Sequence, residues 1–97
     1  MNITESNADI VIERNQNERI LLFMWKHKGD EHPTPRNIYM IKDDSIVWRV
    51  SSNFDDTDNI FTNVWMKDGD IHAYRWDGGE YLINTSNGFA TPLRFLK

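Results

Sequence analysis

Three histidines and fifteen acidic residues are the groups in this 97-residue chain with the means to do acid–base or metal chemistry. His27, Asp30, Glu31 and His32 fall within six residues and offer mixed nitrogen and oxygen ligands. Zinc needs three or four ligands in fixed geometry. These four bracket a Gly29-containing stretch ahead of Pro33 and Pro35, at a spacing that matches no metal motif, and read as a solvated loop. Asp55, Asp56 and Asp58, followed by Asn59, offer the hard oxygens that calcium prefers. An EF-hand loop needs Gly at its sixth position and Glu at its twelfth. Counted from Asp56, those places hold Phe61 and Lys67, so this run also reads as an acidic, solvated loop. His72 has no Gly-x-Ser-x-Gly elbow to serve and sits in mid-strand beside Tyr74. Asp68 and Asp70 lie at a solvated turn tip, which lacks the enclosure that general acid–base work requires. Cysteine is absent, which removes thiol nucleophiles, thiolate zinc sites and disulfides. The expectation is a non-enzyme that holds no metal and no cofactor.

The aromatic residues carry more information. Trp25, Trp48, Trp65 and Trp76 stand beside Tyr39, Tyr74 and Tyr81 in one small domain. Most must fill the core, yet alternation cannot turn all of them inward. His72, Tyr74 and Trp76 share one face of one strand. Facing outward they form a binding patch, since Trp and Tyr dominate interface hot spots. Facing inward they are core, which general burial preferences favour.

The elements that must position these groups follow from composition. Ile, Val, Thr and the aromatics make about a third of the chain and suit a pleated, half-buried surface. Three Ala and five Leu leave few strong helix formers, while ten Asn and ten Asp suit turns. Eight strand-like runs are predicted: Ala8 to Arg14, Glu18 to Lys28, Asn37 to Lys42, Ser45 to Ser51, Asn59 to Lys67, Asp70 to Trp76, Glu80 to Thr85 and Phe89 to Leu96. Turns fall at Asn15–Asn17, Asp43–Asp44, Asp68–Gly69, Asp77–Gly79 and Asn87–Gly88. The run Ile20 to Trp25 is apolar on both faces and predicts a central, doubly covered strand. Elsewhere the period is two: Ile71 and Ala73 oppose His72, Tyr74 and Trp76, and Ile46, Trp48 and Val50 oppose Val47 and Arg49. Pro92 cannot donate to a ladder and belongs on an edge or at a bulge. Residues 29–35 and 52–58 read as loops, and 1–7 as a frayed end.

Length and charge set further bounds. Residues 1–97 make one domain. No apolar run is long enough for a membrane span. The first residues have neither the basic nor the apolar region of a signal peptide. The expected address is therefore cytoplasmic, and the sequons at Asn2 and Asn84 read as chance. Eleven basic against fifteen acidic residues give −4, which disfavours nucleic acid as a partner.

Two hairpins resemble each other. Lys42-Asp-Asp-Ser-Ile-Val-Trp48-Arg49 aligns with Lys67-Asp-Gly-Asp-Ile-His-Ala-Tyr74-Arg75, with a one-residue slip near the end. Phe61 to Phe95 then reads as a four-strand meander that resembles a blade of a quinoprotein-type β-propeller, and Asn37 to Trp48 resembles the hairpin of a neighbouring blade. A closed propeller needs four or more blades of roughly 40–50 residues each. The chain supplies about two, so a monomeric propeller is excluded and quinoprotein cofactor chemistry does not transfer. The preferred reading is a self-contained all-β domain of about eight antiparallel strands, a β-sandwich or partly open barrel with a blade-like C-terminal half. Assembly of several copies, or docking of a blade-like module on another protein, are the alternatives. Size, charge, lack of cysteine and the Trp76-Asp-Gly-Gly-Glu-Tyr81 hairpin ahead of Gly88 also resemble small acidic bacterial immunity proteins.

The expected function is a non-catalytic protein-interaction or inhibitor module, immunity-like or mobile-element-encoded, that receives a basic surface. Asp55, Asp56, Asp58, Asp68, Asp70 and Asp77, with Asp43 and Asp44, would steer the partner, and Tyr74 and Trp76 would anchor it. A carbohydrate- or small-molecule-binding module and a structural homo-oligomer are the alternatives.

Overall fold

A computed structural model describes residues 8–15, 17–23, 36–53, 60–76 and 78–95. The expectations placed on residues 1–7, 29–35 and 54–58, on Trp25 and on Asp77 lie outside them. Eight strands follow in chain order: β1 (Ile10–Glu13), β2 (Glu18–Leu22), β3 (Ile38–Lys42), β4 (Ser45–Arg49), β5 (Phe61–Lys67), β6 (Asp70–Arg75), β7 (Gly79–Ile83) and β8 (Ala90–Phe95). They form two antiparallel four-stranded sheets in sequential order, β1–β4 and β5–β8. Among the described residues there is no helix.

Local chemistry explains the strand pairs. The β3–β4 turn has Asp43 and Asp44 at φ of 50° and 67°, and the β5–β6 turn has Asp68 and Gly69 at 52° and 84°. Two successive positive φ values give a turn whose twist matches that of the flanking strands. Aspartate tolerates this region better than most residues because its short polar side chain bonds locally. Between β1 and β2, Asn15 Oδ1 accepts the N–H groups of Asn17 and Glu18.

The two sheets close on one core. Ile20, Leu22, Ile38, Met40, Trp48 and Val50 from the first meet Phe61, Val64, Ile71, Ala73, Tyr81, Ile83 and Ala90 from the second. The fold is thus a two-layer sandwich measuring 36 × 35 × 19 Å. β2 is covered on both faces, as its unbroken apolar run predicts. Its other face supplies Leu21, packed near Phe23 and Tyr39 in a separate cluster. There Phe23 and Tyr39 meet edge to face at 5.6 Å, and the Arg49 guanidinium lies 5.2 Å from the Tyr39 ring centre.

Several contacts among the described residues stitch the layers. Asn37 is buried, and its amide acts as a short piece of strand. Nδ2 donates to Phe23 O and Phe61 O, while Oδ1 accepts the Phe61 N–H. Just beyond β4, Ser51 makes a parallel bridge to Phe89 through Gly88 O and the Ala90 N–H. Trp48 Nε1 donates to Thr85 O at 3.0 Å. Gly88, at φ +77°, lies so close under the Trp48 ring that a Cβ there would sit 2.5 Å from it.

Bulges correct one sequence expectation. Ile46 pairs with Ile41 and Trp48 with Met40, which leaves Val47 unpaired. The extra residue breaks the alternation. Trp48 and Val50 point into the core, while Ile46 is 54% exposed and does not share their face. A second bulge lies opposite Tyr81 and Glu80, at Pro92 to Arg94 of the edge strand β8. This is the kind of place that Pro92 requires.

Candidate functional site

β6 organises the outer face of the second sheet. Ile71, Ala73 and Arg75 alternate inward and are fully buried. His72 and Tyr74 point the other way and are half-buried, and Trp76 just beyond the strand is 69% exposed. This overturns the expectation that the His72, Tyr74 and Trp76 face is core. The inner side of β6 already meets the first sheet through Ile71 and Ala73, so strand alternation leaves the aromatic side outside.

Cross-strand neighbours complete the face. His72 lies opposite Trp65 on β5 and Leu82 on β7, and Tyr74 lies opposite Asn63 and Glu80. The Trp65 indole stacks on the His72 imidazole with centroids 5.8 Å apart and planes 18° from parallel. His72 Nδ1 is 3.1 Å from Glu80 Oε2, and the two side chains are only 13% and 11% exposed. Glu80 thus meets His72 diagonally, a reach open to a long side chain on an antiparallel pair. One face of the imidazole is covered by Trp65 and one nitrogen is held by a carboxylate. The ring is a fixed polar floor beside Tyr74.

Arg75 sets the inner limit of this face. Its guanidinium carbon lies 4.2 Å from the Phe61 ring centre and 5.0 Å from that of Tyr81, and Nη1 donates to Ser52 Oγ at 3.2 Å. Phe61 and Tyr81 meet edge to face at 5.4 Å. Aromatic faces attract a desolvated cation, so the core holds this residue in place. The Trp76 N–H donates to Ile60 O at 2.9 Å, which continues the β5–β6 pairing past Arg75.

Among the residues singled out from the sequence, Asp70, Tyr74 and Trp76 alternate on the same side of one strand. Asp68 sits in the turn before Asp70, and both acids are exposed. Strand geometry separates Asp70 from Trp76 by roughly 20 Å, so acids and aromatics occupy opposite ends of the face. Asp43 and Asp44 belong to the other sheet's turn. Asp55, Asp56, Asp58 and Asp77 are outside the described residues. Sequence reasoning missed Trp65 and Glu80 as members of this face. The signal was available: fixing the Asp68–Gly69 and Asp77–Gly79 turns sets the register that places both beside His72.

Among the described residues, no three His, Cys, Asp or Glu side chains gather where a metal ion would sit. No helix among them is long and apolar enough to cross a membrane. No curated protein and no solved structure matches the chain. The family described as Domain of unknown function (DUF7957) matches over residues 5–95, and the chain belongs to that family.

Proposed function

We propose that this chain is a non-catalytic module that binds a partner protein through the outer face of β5–β8. Its concrete form is an inhibitor of the immunity type or one carried by a mobile element, acting in the cytoplasm. The observation that supports this most is Trp76, 69% exposed, on the same side as Tyr74 of a strand whose inner side is fully buried. Tryptophan and tyrosine carry large shares of interface energy. A strand fixed by its core presents them with little ordering left to lose on binding. Asp70 on that face and Asp68 beside it supply negative charge at the far end. The undescribed acids Asp55, Asp56, Asp58 and Asp77 join the steering set by charge alone. A basic surface on the partner suits this combination.

The test is capture from source cells by the intact chain and by a Tyr74→Ala/Trp76→Ala double variant, at low and high salt. Any captured protein is then purified and its affinity measured directly. The expected result is a partner whose binding weakens with salt and falls by roughly thirtyfold or more in the double variant. A partner held equally well by the variant would sink the proposal. Light scattering tests a second copy of the chain as the occupant instead.

A further inference from the structure

The outer face of the second sheet changes character along its length. At the end away from Trp76 it opens into a cleft of about 430 Å³ beside the β7–β8 turn. Leu82 and Phe89 contribute apolar surface, and Asp70, Asn84, Asn87 and Thr91 contribute polar groups.

The turn fixes what the two amides can offer. Asn84 Oδ1 accepts the N–H groups of Ser86 at 2.8 Å and Asn87 at 3.2 Å. Asn87 Oδ1 accepts the Phe89 N–H at 2.8 Å. A backbone N–H can be met only by the oxygen of a side-chain amide, so the orientation of both groups is settled. Their oxygens are used by the turn, and their NH₂ groups are left to donate. The turn is itself held from beneath, by Trp48 on Thr85 O and by the close seat of Gly88. These donors are therefore placed before any ligand arrives.

We propose that this cleft binds one neutral sugar unit. The lining combines two amide donors, a carboxylate acceptor, a hydroxyl and an apolar floor. A pyranose has the matching pair of surfaces: hydroxyls that both donate and accept, and a C–H face that packs on apolar side chains. The volume falls in the range of small-molecule sites. Asp70 opposes an anionic ligand, and neither Lys nor Arg is among the described residues that line the cleft. The site is distinct from the Tyr74 and Trp76 end, and its test needs no protein partner, so the two proposals fail separately.

The test is an NMR titration of the full ¹⁵N-labelled chain with methyl glucoside, methyl mannoside and N-acetylglucosamine in turn, each into the millimolar range. At least one sugar should move the backbone signals of Asn84, Ser86 and Thr91 saturably. Asp70→Asn and Asn84→Asp should each weaken that binding about tenfold. Asn84→Asp keeps an oxygen for the turn while it replaces the NH₂ donor with a second, negatively charged oxygen, so unchanged spectra elsewhere separate lost binding from lost fold. Absence of saturable shifts at these positions with all three sugars overturns the proposal. So does binding that both variants leave intact, or shifts produced by tetramethylammonium and by no sugar.

Discussion

The β3–β4 and β5–β6 hairpins begin with nearly the same letters and finish on opposite faces. Each runs from a lysine through a two-residue turn with positive φ to an isoleucine, then an aromatic residue and an arginine. In the first, Ile46 and Arg49 face outward and Trp48 fills the core. In the second, Ile71 and Arg75 are fully buried and Tyr74 looks outward. The turns are equivalent, so they do not decide the outcome. Within each hairpin the isoleucine and the arginine share one side and the aromatic takes the other, because the unpaired Val47 offsets the one-residue difference in spacing. A strand has period two, so one extra residue exchanges its faces. What differs is which side meets the facing sheet: the second hairpin turns its isoleucine and its cation to the core and its aromatic to the surface, which leaves the candidate binding face outside.

The largest test of this contrast is a pair of arginine substitutions. Arg75→Ala removes a buried cation from between two rings and should cost about 3–5 kcal/mol of stability in urea unfolding. Arg49→Ala removes a half-buried cation that lies over Tyr39 and donates to Arg36 O. It should cost about 1 kcal/mol or less. Equal losses would break the comparison. Next comes Asn37, which ties the start of β3 to Phe61, the partner of Arg75 across β5–β6. Asn37→Ala orphans the Phe61 N–H and should cost about 2–3 kcal/mol by the same measurement. A near-neutral result would mean that the layers are held without it.

Glycines sharpen the picture at smaller magnitude. Gly88→Ala drives a Cβ into Trp48 besides straining a positive φ, and should cost about 2 kcal/mol in thermal or urea unfolding. Gly69→Ala, with nothing within 4 Å, carries the φ penalty alone and should cost about 1 kcal/mol. Smallest of all, Trp76→Ala should leave stability within about 0.5 kcal/mol while reducing partner binding. A large loss of stability there would make Trp76 a structural residue.

The turns and strands were legible because their signals are local. Asp-Asp and Asp-Gly pairs dictate their own dihedrals, and the apolar run of β2 announces burial on both faces. Pro92 marked its own edge. The position of Ile46 was not legible, because no residue type at Val47 encodes a bulge. It arises from fitting β4 to β3 while Trp48 reaches the second layer. Arg75 and Asn37 were hidden for a different reason. Buried polar groups follow from partners far along the chain, and arginine is ordinarily a surface residue. On the candidate face, alternation grouped His72, Tyr74 and Trp76 correctly but could not say which side was wet. That depended on the first sheet claiming Ile71 and Ala73. Trp65 and Glu80 became visible only with the register.

The Trp48–Thr85 contact bears on the order of events in folding. Thirty-seven positions separate the two residues, whereas the β3–β4 and β5–β6 hairpins each close over two. A long loop must lose its freedom before the contact it closes can repay that loss. The hairpins can therefore assemble from neighbours alone, while the seating of Trp48 on Gly88 waits until both sheets exist. The indole of Trp48 is then a built-in clock for the last step, in which two separately formed layers become one molecule.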